Sequence, residues 1–357
     1  MKLKLIVSLF VICLAFSFGF AQAQTGRSDT SQNISQQGNV NTEGNISTLE
    51  NKMINVSQQS GGDVKWILPG PRRLDPHIFG TPDKPLGFEP EIGVPIENRS
   101  VSGNAFTTTK EPTPFSDNFT HINGSFYMSL RDLTPVDVNQ SRDTAKAEFN
   151  FTDPTGNIHY RVVLRNVTHV GEFYSVLGGV LIDGIAHGKS SIDTRMEPTS
   201  YIYGAFWGVG DLYVNDTLVS NNRVIHAMAT ERVRSSEQQG YRLLFDNELP
   251  HSGIQAHLML PDMVMSNGTM EKQPVPTNYT LPNGQKQPFI HVVFDNPNLE
   301  GLKILNFNNV TTSMTENMTG NQTGGMTENM TGNQTGGMTE NMTGNQTGGL
   351  AGTKLRV

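Results

Sequence analysis

Three histidines in the second half of the chain have the clearest capacity for chemistry. His226, His257 and His291 each lie among apolar residues in a segment with the pattern of a β-strand. If those strands are neighbours and the imidazoles share a face, the geometry suits a zinc or other transition-metal site with three histidines and an open position. His251 or Glu231 would then add a fourth ligand or a general base. This interpretation predicts a metal-dependent enzyme.

A plainer interpretation of the same histidines competes with the metal site. No two of the three have a local metal-ligand spacing, and the order of the strands is not fixed by the sequence. A histidine on a strand commonly faces solvent or makes a single hydrogen bond. The metal site therefore depends on how the strands are arranged.

A second cluster of reactive side chains occupies the loop 183–193, DGIAHGKSSID. Loops that carry function often gather Asp, His, Lys and Ser in this way, and so do ordinary turns. The loop lacks the strand–G-x-S-x-G–helix context of a nucleophile elbow, which argues against nucleophilic catalysis. We expect His187 to contact a ligand rather than to take part in such catalysis.

The stretch 201–219, YIYGAFWGVGDLYVNDTLV, is the densest aromatic and β-branched run after the N-terminal segment. Its aromatic side chains are Tyr201, Tyr203, Phe206, Trp207 and Tyr213. In a lipocalin-like β-barrel such a set lines a pocket for a small apolar ligand, with Tyr203 and Trp207 as contacts. Simple packing of the core is the competing interpretation. The glycines between these aromatics favour a bent strand, as a barrel requires.

The elements that must position these side chains are strands. Period-two alternation predicts strands at 125–130, 145–151, 158–167, 172–185, 201–209, 211–214, 217–219, 223–234, 241–245, 254–260, 289–294 and 302–307. No helix of three turns, βαβ repeat or phosphate-binding glycine loop is evident. The sequence therefore predicts an all-β domain over 116–310, either an antiparallel β-sandwich or a closed lipocalin-like β-barrel.

Turn residues support this pattern. The segment 153–157, DPTGN, predicts a reverse turn, because proline fixes φ and glycine supplies a positive φ. Asn215-Asp216 suits a two-residue primed turn at the tip of a hairpin. Asn221-Asn222 is expected to turn the chain again, and so is 282–285.

Two segments before the domain differ from it in composition. Residues 24–62 are rich in Gln, Asn, Ser and Gly and predict disorder. Residues 63–115 contain nine of the nineteen prolines, which argues against a helix or a central strand. We expect an extended arm that lays Trp66, Phe79 and Phe88 against the domain.

The N-terminus predicts export. Residues 1–23 combine a positive start, an apolar stretch and a small-x-small site, which is typical of a cleaved signal peptide. An uncleaved leader that anchors the chain in a membrane is the alternative. Cys13 lies in this leader, so the cleaved chain would lack thiols and disulfides, and no stable membrane span would remain. A net charge of −7 without a clustered basic face argues against nucleic acid as a partner.

Asn-x-Ser/Thr sites are far more frequent than chance predicts, and they indicate N-glycosylation of exposed backbone. The nineteen sites are Asn33, Asn45, Asn55, Asn98, Asn118, Asn123, Asn139, Asn150, Asn166, Asn215, Asn267, Asn278, Asn309, Asn317, Asn321, Asn329, Asn333, Asn341 and Asn345. The last six lie in a tail, 311–357, where MTENMTGNQTGG is repeated three times over 314–349. With methionine as its only large apolar residue, this repeat predicts a disordered spacer.

The leader, the absence of further cysteine, the dense sequons and the Asn/Thr/Gly repeat together resemble archaeal secreted or cell-surface glycoproteins. The resemblance covers composition at the ends and the spread of sequons, and it implies an extracellular or cell-surface location without an activity. The sequence thus favours a non-enzymatic structural or interaction module of the cell envelope. Its expected partners are other envelope proteins or glycans, with the apolar-ligand barrel and the metal-dependent enzyme as alternatives.

Overall fold

A computed structural model describes residues 52–86, 94–133, 142–167, 179–190, 192–281 and 283–306. The predicted signal peptide 1–23, residues 24–51 of the predicted disordered segment and the predicted disordered tail 311–357 lie outside the described residues. So do the sequons Asn33, Asn45, Asn139 and Asn309 and the six of the tail.

The described chain is built almost entirely from antiparallel strands. They are β1 (Lys52–Gln58), β2 (Val64–Ile67), β3 (Gly80–Thr81), β4 (Lys84–Pro85), β5 (Arg99–Ser102), β6 (Ala105–Thr109), β7 (Phe119–Ile122), β8 (Gly124–Asp132), β9 (Thr144–Thr152), β10 (His159–Val167), β11 (Val180–Ala186), β12 (Ser200–Val214), β13 (Thr217–Thr230), β14 (Gln255–Leu260), β15 (Met263–Ser266), β16 (Thr269–Lys272), β17 (Ile290–Asp295) and β18 (Asn298–Glu300). One α-helix, α1 (Pro76–Phe79), and four 3-10 turns, Ile96–Asn98, Gly188–Ser190, Glu237–Gln239 and Asp246–Glu248, are also described. None of the described helices is long and apolar enough to span a membrane.

One large sheet dominates, and it confirms the predicted all-β class. Its strand order is β18-β1-β8-β9-β10-β12-β13-β14-β17-β2-β7, with β11 on β12 and the β15–β16 hairpin on β13. The sheet curls into a half-barrel. The core lies inside the curl. There Gly204 of β12 lets Ile54 and Leu130 pack close to its backbone, and a Cβ at this position would push their terminal methyl groups aside.

The hairpin of β12 and β13 is the longest pair in the sheet. Its tip is the predicted turn at Asn215-Asp216, where φ is 47° and 62°, as a type I′ turn requires. The predicted second turn at Asn221-Asn222 is wrong, since β13 runs through it without a break. Asn222 has a φ of 52°, and the pairing register of β12 with β13 shifts at this point. The two asparagines therefore form a β-bulge within the strand pair and not a turn.

The last part of the predicted disordered segment, 24–62, is structured, which corrects the prediction. Strand β1 lies between β8 and β18, and Ile54 and Val56 are buried in the main core. Their spacing of two suits a strand with one buried face. Their partners lie far along the chain, so local composition did not reveal the pairing.

The predicted proline-rich arm, 63–115, is also wrong in part. Strand β2 is central in the sheet, between β17 and β7, and Trp66 within it is fully buried. The strand is possible because its four residues contain no proline. Phe79 lies in a second, smaller core with Leu74, Ile78, Val94 and Phe106, and Phe88 lies outside the described residues.

Two of the predicted later strands are wrong as well. Residues 241–245 contain only an isolated bridge from Leu243 to Arg234. The final described strand is β18, a little before the predicted 302–307. Both predicted segments are mainly apolar, but without strand partners among the described residues this pattern does not form a ladder. Leu243 and Leu244 are buried in a small cluster of their own, whereas Leu302 and Leu305 are only partly buried against the main core.

The strands β12, β13, β14 and β17 have two covered faces. On one face Ile225, Ala227 and Leu258 belong to the main core. On the other, Trp207 and Met228 form a separate apolar cluster with residues from β11 and the following loop. A sheet buried on both faces needs a second covering layer, which here consists of loops. The candidate site lies under that layer.

Candidate metal centre

The strand order brings the three predicted histidines to one face of the sheet. His226 of β13 is opposite Met259 of β14, and Met259 is opposite His291 of β17. Directly paired residues share a face, and so do residues two apart in one strand, which adds His257. The three therefore point away from the main core, toward the loop layer.

The connection between β11 and β12 supplies three more side chains to this face: His187, Asp193 and Glu197. His187 and Asp193 have positive φ angles, 65° and 61°, a conformation that residues with side chains seldom adopt. The backbone holds this shape through a bond from the His187 N–H to the Ile192 carbonyl, 2.8 Å. Unfavourable backbone conformations of this kind cluster at functional sites.

The first group of potential ligands contains His187, Asp193 and His226. Nε2 of His226 lies 3.0 Å from Oδ2 of Asp193, and Nδ1 of His187 lies 3.5 Å from the same oxygen. Two ligand atoms bound to one ion at about 2.0–2.1 Å are separated by about 2.9–3.4 Å for angles between 90° and the tetrahedral value. The first group is therefore close to the spacing of a coordination sphere.

The second group contains Glu197, His257 and His291. Nδ1 of His257 lies 3.2 Å from Nε2 of His291 and 4.0 Å from Oε1 of Glu197. The two groups meet at His187, whose Nε2 is 3.6 Å from Oε2 of Glu197. Each group of three has its ligand atoms within 4.8 Å of one another. The site as a whole contains four imidazoles and two carboxylates, and we refer to these six residues as the histidine centre.

Burial makes the histidine centre electrostatically costly. The side chains of His187, Glu197, His257 and His291 are each 1% exposed. Both carboxylate oxygens of Glu197 lack a hydrogen-bond donor among the described residues. Burial raises the pKa of Glu197, although the nearby imidazole of His187 acts in the opposite direction. A buried carboxylate without a donor costs several kcal/mol, on the order of what an unpaired charge loses on leaving water.

The imidazoles of the second group are held neutral. Burial, together with the nearby His291, lowers the pKa of His257 well below its ordinary value. Burial and the nearby Arg234 guanidinium lower the pKa of His291 to about 3. Metal ions bind the neutral form of imidazole, so no proton has to leave these rings before an ion enters.

In the first group the pKa of the histidine His226 is raised, in contrast to the lowered pKa values of the histidines in the second group. Burial opposes a charge on His226, but the Asp193 carboxylate raises its pKa overall. Burial by itself would raise the pKa of Asp193, but the imidazoles of His226 and His187 outweigh this effect and lower the pKa to about 2. A proton on His226 therefore occupies, in the metal-free protein, the place that a cation would take between the two side chains.

Backbone carbonyls fix the orientation of two of the rings. Nδ1 of His291 donates to the Pro114 carbonyl, 2.7 Å, and Nδ1 of His226 donates to the Phe206 carbonyl, 3.0 Å. A carbonyl only accepts, so Nδ1 of each ring carries a hydrogen. In the neutral ring of His291 the lone pair is therefore on Nε2, whereas Nε2 of His226 faces the Asp193 carboxylate. Hydrogen bonds of this kind from metal-binding histidines orient the ring and increase its basicity.

Aromatic side chains hold the same two rings from the outside. Trp207 stacks on His226 with a centroid distance of 4.4 Å and an angle of 11°. Phe115 packs edge-on against His291 at 5.8 Å. Since Pro114 and Phe115 come from the proline-rich segment, this segment covers the centre rather than extending as an arm.

The loop with Glu197 is anchored by buried polar contacts. Nε of Arg72 donates to the Met196 carbonyl, 2.8 Å, next to Glu197. Thr199 donates through its backbone N–H and its hydroxyl to the two oxygens of Asp246, 2.8 and 3.0 Å. These contacts fix both sides of Glu197, so its carboxylate is presented by a braced loop.

Not all predicted site residues reach the centre. Tyr203 is fully buried in the main core, where its hydroxyl donates to the Gly253 carbonyl and accepts the Leu305 N–H, both at 2.9 Å. Trp207 lies on the other face of the sheet from Tyr203, the face of the histidine centre, where it stacks on His226 instead of lining an apolar pocket with Tyr203. The two side chains that were predicted to line one apolar pocket are therefore separated by the sheet, whereas His187, the third predicted contact, is part of the histidine centre.

His251 and Glu231, which were predicted to supply a fourth ligand or a general base, do not belong to the histidine centre either. Nδ1 of His251 lies 3.1 Å from Oε2 of Glu231, and the other oxygen of Glu231 accepts the Tyr201 N–H, 2.8 Å. These two residues bond to each other and to the end of β12. In their place the loop supplies Asp193 and Glu197.

Sequence reasoning missed the role of three side chains. Asp193 lay in the loop that had been singled out, but no spacing linked it to a histidine on a distant strand. Glu197 stands in an irregular segment, RMEPTS, that carries no periodic signal. Met228, whose sulfur is 3.0 Å from Nε2 of His187, had the pattern of a core residue.

Comparison of the chain with protein-family models, curated proteins and solved structures gives no match. The chemistry of the site therefore has to be argued from its own geometry.

Proposed function

We propose that this protein is a metalloprotein and that the histidine centre binds a transition-metal ion. The observation that carries the proposal is Glu197: its carboxylate is buried beside the imidazoles of His187 and His257, and no described residue donates a hydrogen bond to it. The Arg234 guanidinium acts on the pKa of Glu197 through its charge, but it makes no hydrogen bond to this carboxylate, and its Nη1 donates to the Ser116 and Tyr241 carbonyls. A bound cation would give the Glu197 carboxylate the direct partner that it lacks among the described residues.

The donor types favour a borderline metal over calcium or magnesium. Imidazole nitrogens with one or two carboxylates suit zinc, copper, iron or nickel, while calcium and magnesium prefer shells of oxygen alone. Zinc was the cofactor considered from the sequence, and Met228 beside His187 adds a soft sulfur that favours copper. The first metals to test are therefore zinc and copper.

Three protein ligands in each group leave a fourth position open, as in catalytic zinc sites. The centre lies beneath the loop 187–199 and the segment around Pro114, so any substrate must be small or must enter when these loops move. A metal-dependent activity on a small molecule is compatible with this arrangement, and retention of the ion is what the geometry supports most directly.

Metal analysis of the purified full chain tests this proposal. We expect stoichiometric zinc or copper in the wild type after dialysis against a weak chelator. Glu197→Gln and His291→Gln, which nearly preserve side-chain volume, should each weaken binding at least about 100-fold, more than the loss of an outer hydrogen-bond partner does. His159→Gln alters an exposed histidine outside the centre and should bind like the wild type. A wild-type chain that retains no metal and is not stabilised by added zinc or copper would contradict the proposal.

A second element of the proposal concerns export and glycosylation. Nine of the predicted sequon asparagines lie in the described residues. Of these, Asn118, Asn123, Asn166, Asn215, Asn267 and Asn278 are exposed, and Asn55, Asn98 and Asn150 are half-buried. Glycans require accessible asparagine, so this distribution favours a glycosylated protein of the cell surface that contacts envelope proteins or glycans.

Mass spectrometry of glycopeptides from the native source tests this second element. We expect sugar on the six exposed asparagines, and Asn215 is the sharpest case because it forms the tip of the β12–β13 hairpin. The same measurement identifies the mature N-terminus, which should lie after residue 23. Unmodified peptides at all six sites would contradict glycosylation without affecting the metal proposal.

A further inference from the structure

The imidazole of His187 lies between the two groups of the histidine centre and offers a different nitrogen to each. Its Nδ1 is 3.5 Å from Asp193 Oδ2 in the first group. Its Nε2 is 3.6 Å from Glu197 Oε2 in the second. A histidine that binds a single ion uses one nitrogen and donates the other to a carbonyl or carboxylate. Among the described residues, neither nitrogen of His187 is hydrogen-bonded to a carbonyl or carboxylate: Nδ1 has no partner, and Nε2 lies 3.0 Å from the Met228 sulfur.

Each group supplies its own set of ligand atoms apart from His187. The first offers Nε2 of His226 and the Asp193 carboxylate, and the second offers Glu197, His257 and His291. A single ion at one end cannot reach all six side chains. Ions on the two nitrogens of one imidazole are about 6 Å apart, given metal–nitrogen bonds of about 2.0 Å. Two adjacent sites that share the His187 ring would therefore hold their ions about 6 Å apart.

Resting on the metal-binding function proposed above, we propose that the centre holds two metal ions and that His187 bridges them as an imidazolate. The first ion is bound by His226, Asp193 and Nδ1 of His187. The second is bound by Glu197, His257, His291 and Nε2 of His187. An imidazolate carries no proton on either nitrogen, so bridging releases protons from His187 to solvent as the ions bind, and this loss offsets part of the added charge.

The backbone around His187 fits this role. Its positive φ turns the ring inward between the groups, and the following Gly188 also has a positive φ, 54°. A side chain at Gly188 would collide with Thr199, so the loop can close only with glycine there. The Met228 sulfur next to Nε2 completes the surroundings of the second ion with a soft donor.

Copper loading of the full chain tests the bridge. We expect two copper(II) ions per chain by elemental analysis. Two such ions on one imidazolate are magnetically coupled, so the electron paramagnetic resonance signal should account for much less than the copper bound. In His187→Gln the coupling should disappear, and the signal should then equal the copper content. Asp193→Asn should bind one ion, and His159→Gln should behave as the wild type.

The outcomes separate this inference from the proposed function. One ion per chain in the wild type, or two ions whose signal equals the copper content, would overturn the bridge while leaving a metal centre. No bound ion would overturn both. If circular dichroism shows that His187→Gln does not fold, the wild-type coupling and the stoichiometry of Asp193→Asn still decide the question.

Discussion

Two groups of buried charge lie on strand β17, and the protein completes only one of them with its own side chains. At one end of the strand Asp295 belongs to a cluster around Lys65, whose Nζ is 2.7 Å from Asp295 Oδ2, 2.8 Å from Glu237 Oε1 and 2.5 Å from Asp63 Oδ2. We call these four residues the lysine cluster. Near the other end of the same strand, His291 belongs to the histidine centre.

The difference lies in where the positive charge comes from. Lys65 is fully buried, and it places one ammonium among three carboxylates, so the lysine cluster contains its own cation. Burial opposes that charge, but the bond to Asp295 and the other carboxylates raises the pKa of Lys65 overall. In the histidine centre, both oxygens of the buried Glu197 carboxylate lack a hydrogen-bond donor among the described residues. Acidic groups alone therefore do not indicate a metal site, whereas a buried carboxylate without a direct partner favours one.

The largest expected effect comes from removing the internal cation. Lys65→Met leaves Asp295 buried without its ammonium, and it should lower the free energy of unfolding by about 3 kcal/mol, as the loss of one partner of a buried ion pair does. Urea denaturation measures this change. The matched control is Glu237→Gln, which removes a half-exposed partner and should cost about 0.5 kcal/mol. Equal effects of the two variants would mean that burial does not distinguish the partners.

The next largest effect should come from supplying the external cation. Zinc or copper at a free concentration 100 times the dissociation constant should raise the free energy of unfolding by about 2.7 kcal/mol for each site that is filled, because the folded state alone binds the ion. Lys65→Met should show the same increment as the wild type, since the lysine cluster is separate. Thermal denaturation with metal and with a chelator measures both. A smaller increment in Lys65→Met would show that the two groups are coupled.

Without metal, removal of a charge should change the free energy of unfolding in opposite directions in the lysine cluster and in the histidine centre. Glu197→Gln replaces an unpaired buried carboxylate by a neutral amide of similar shape, so we expect the free energy of unfolding without metal to rise by about 1 kcal/mol. The same variant should gain little from added metal. Urea denaturation in the presence of a chelator tests the sign, and a clear destabilisation would show that Glu197 is already paired.

The smallest effect should be at His121. Its Nδ1 lies 3.5 Å from Asp63 Oδ1 and its Nε2 lies 3.3 Å from Glu237 Oε2, so with these carboxylates it has the spacing of a metal site. Lys65 Nζ already contacts both carboxylates, at 2.5 Å from Asp63 Oδ2 and 2.8 Å from Glu237 Oε1. His121→Gln should therefore change the free energy of unfolding by less than about 0.5 kcal/mol and leave the metal content unchanged. A lower metal content in this variant would assign an ion to the lysine cluster.

Much of the fold could be predicted from local patterns. The strands β8, β9, β10, β14 and β17 were placed within a few residues, because each alternates or runs apolar between turn residues. The strands β1 and β2 were missed, since polar or proline-rich neighbours obscured four-to-seven-residue patterns. Their burial depends on pairing with strands far away in the chain, and composition does not report such pairing.

The sequence by itself determined the class of fold, the hairpin at Asn215-Asp216 and the three histidines as candidate ligands. These depend on side-chain period and turn chemistry, which act over a few residues. The tertiary structure alone decided that β13, β14 and β17 are neighbours, that a loop brings Glu197 to their histidines, and that Lys65 reaches Asp295. Each of these contacts joins residues dozens to hundreds of positions apart, and their geometry is set by packing of the whole sheet.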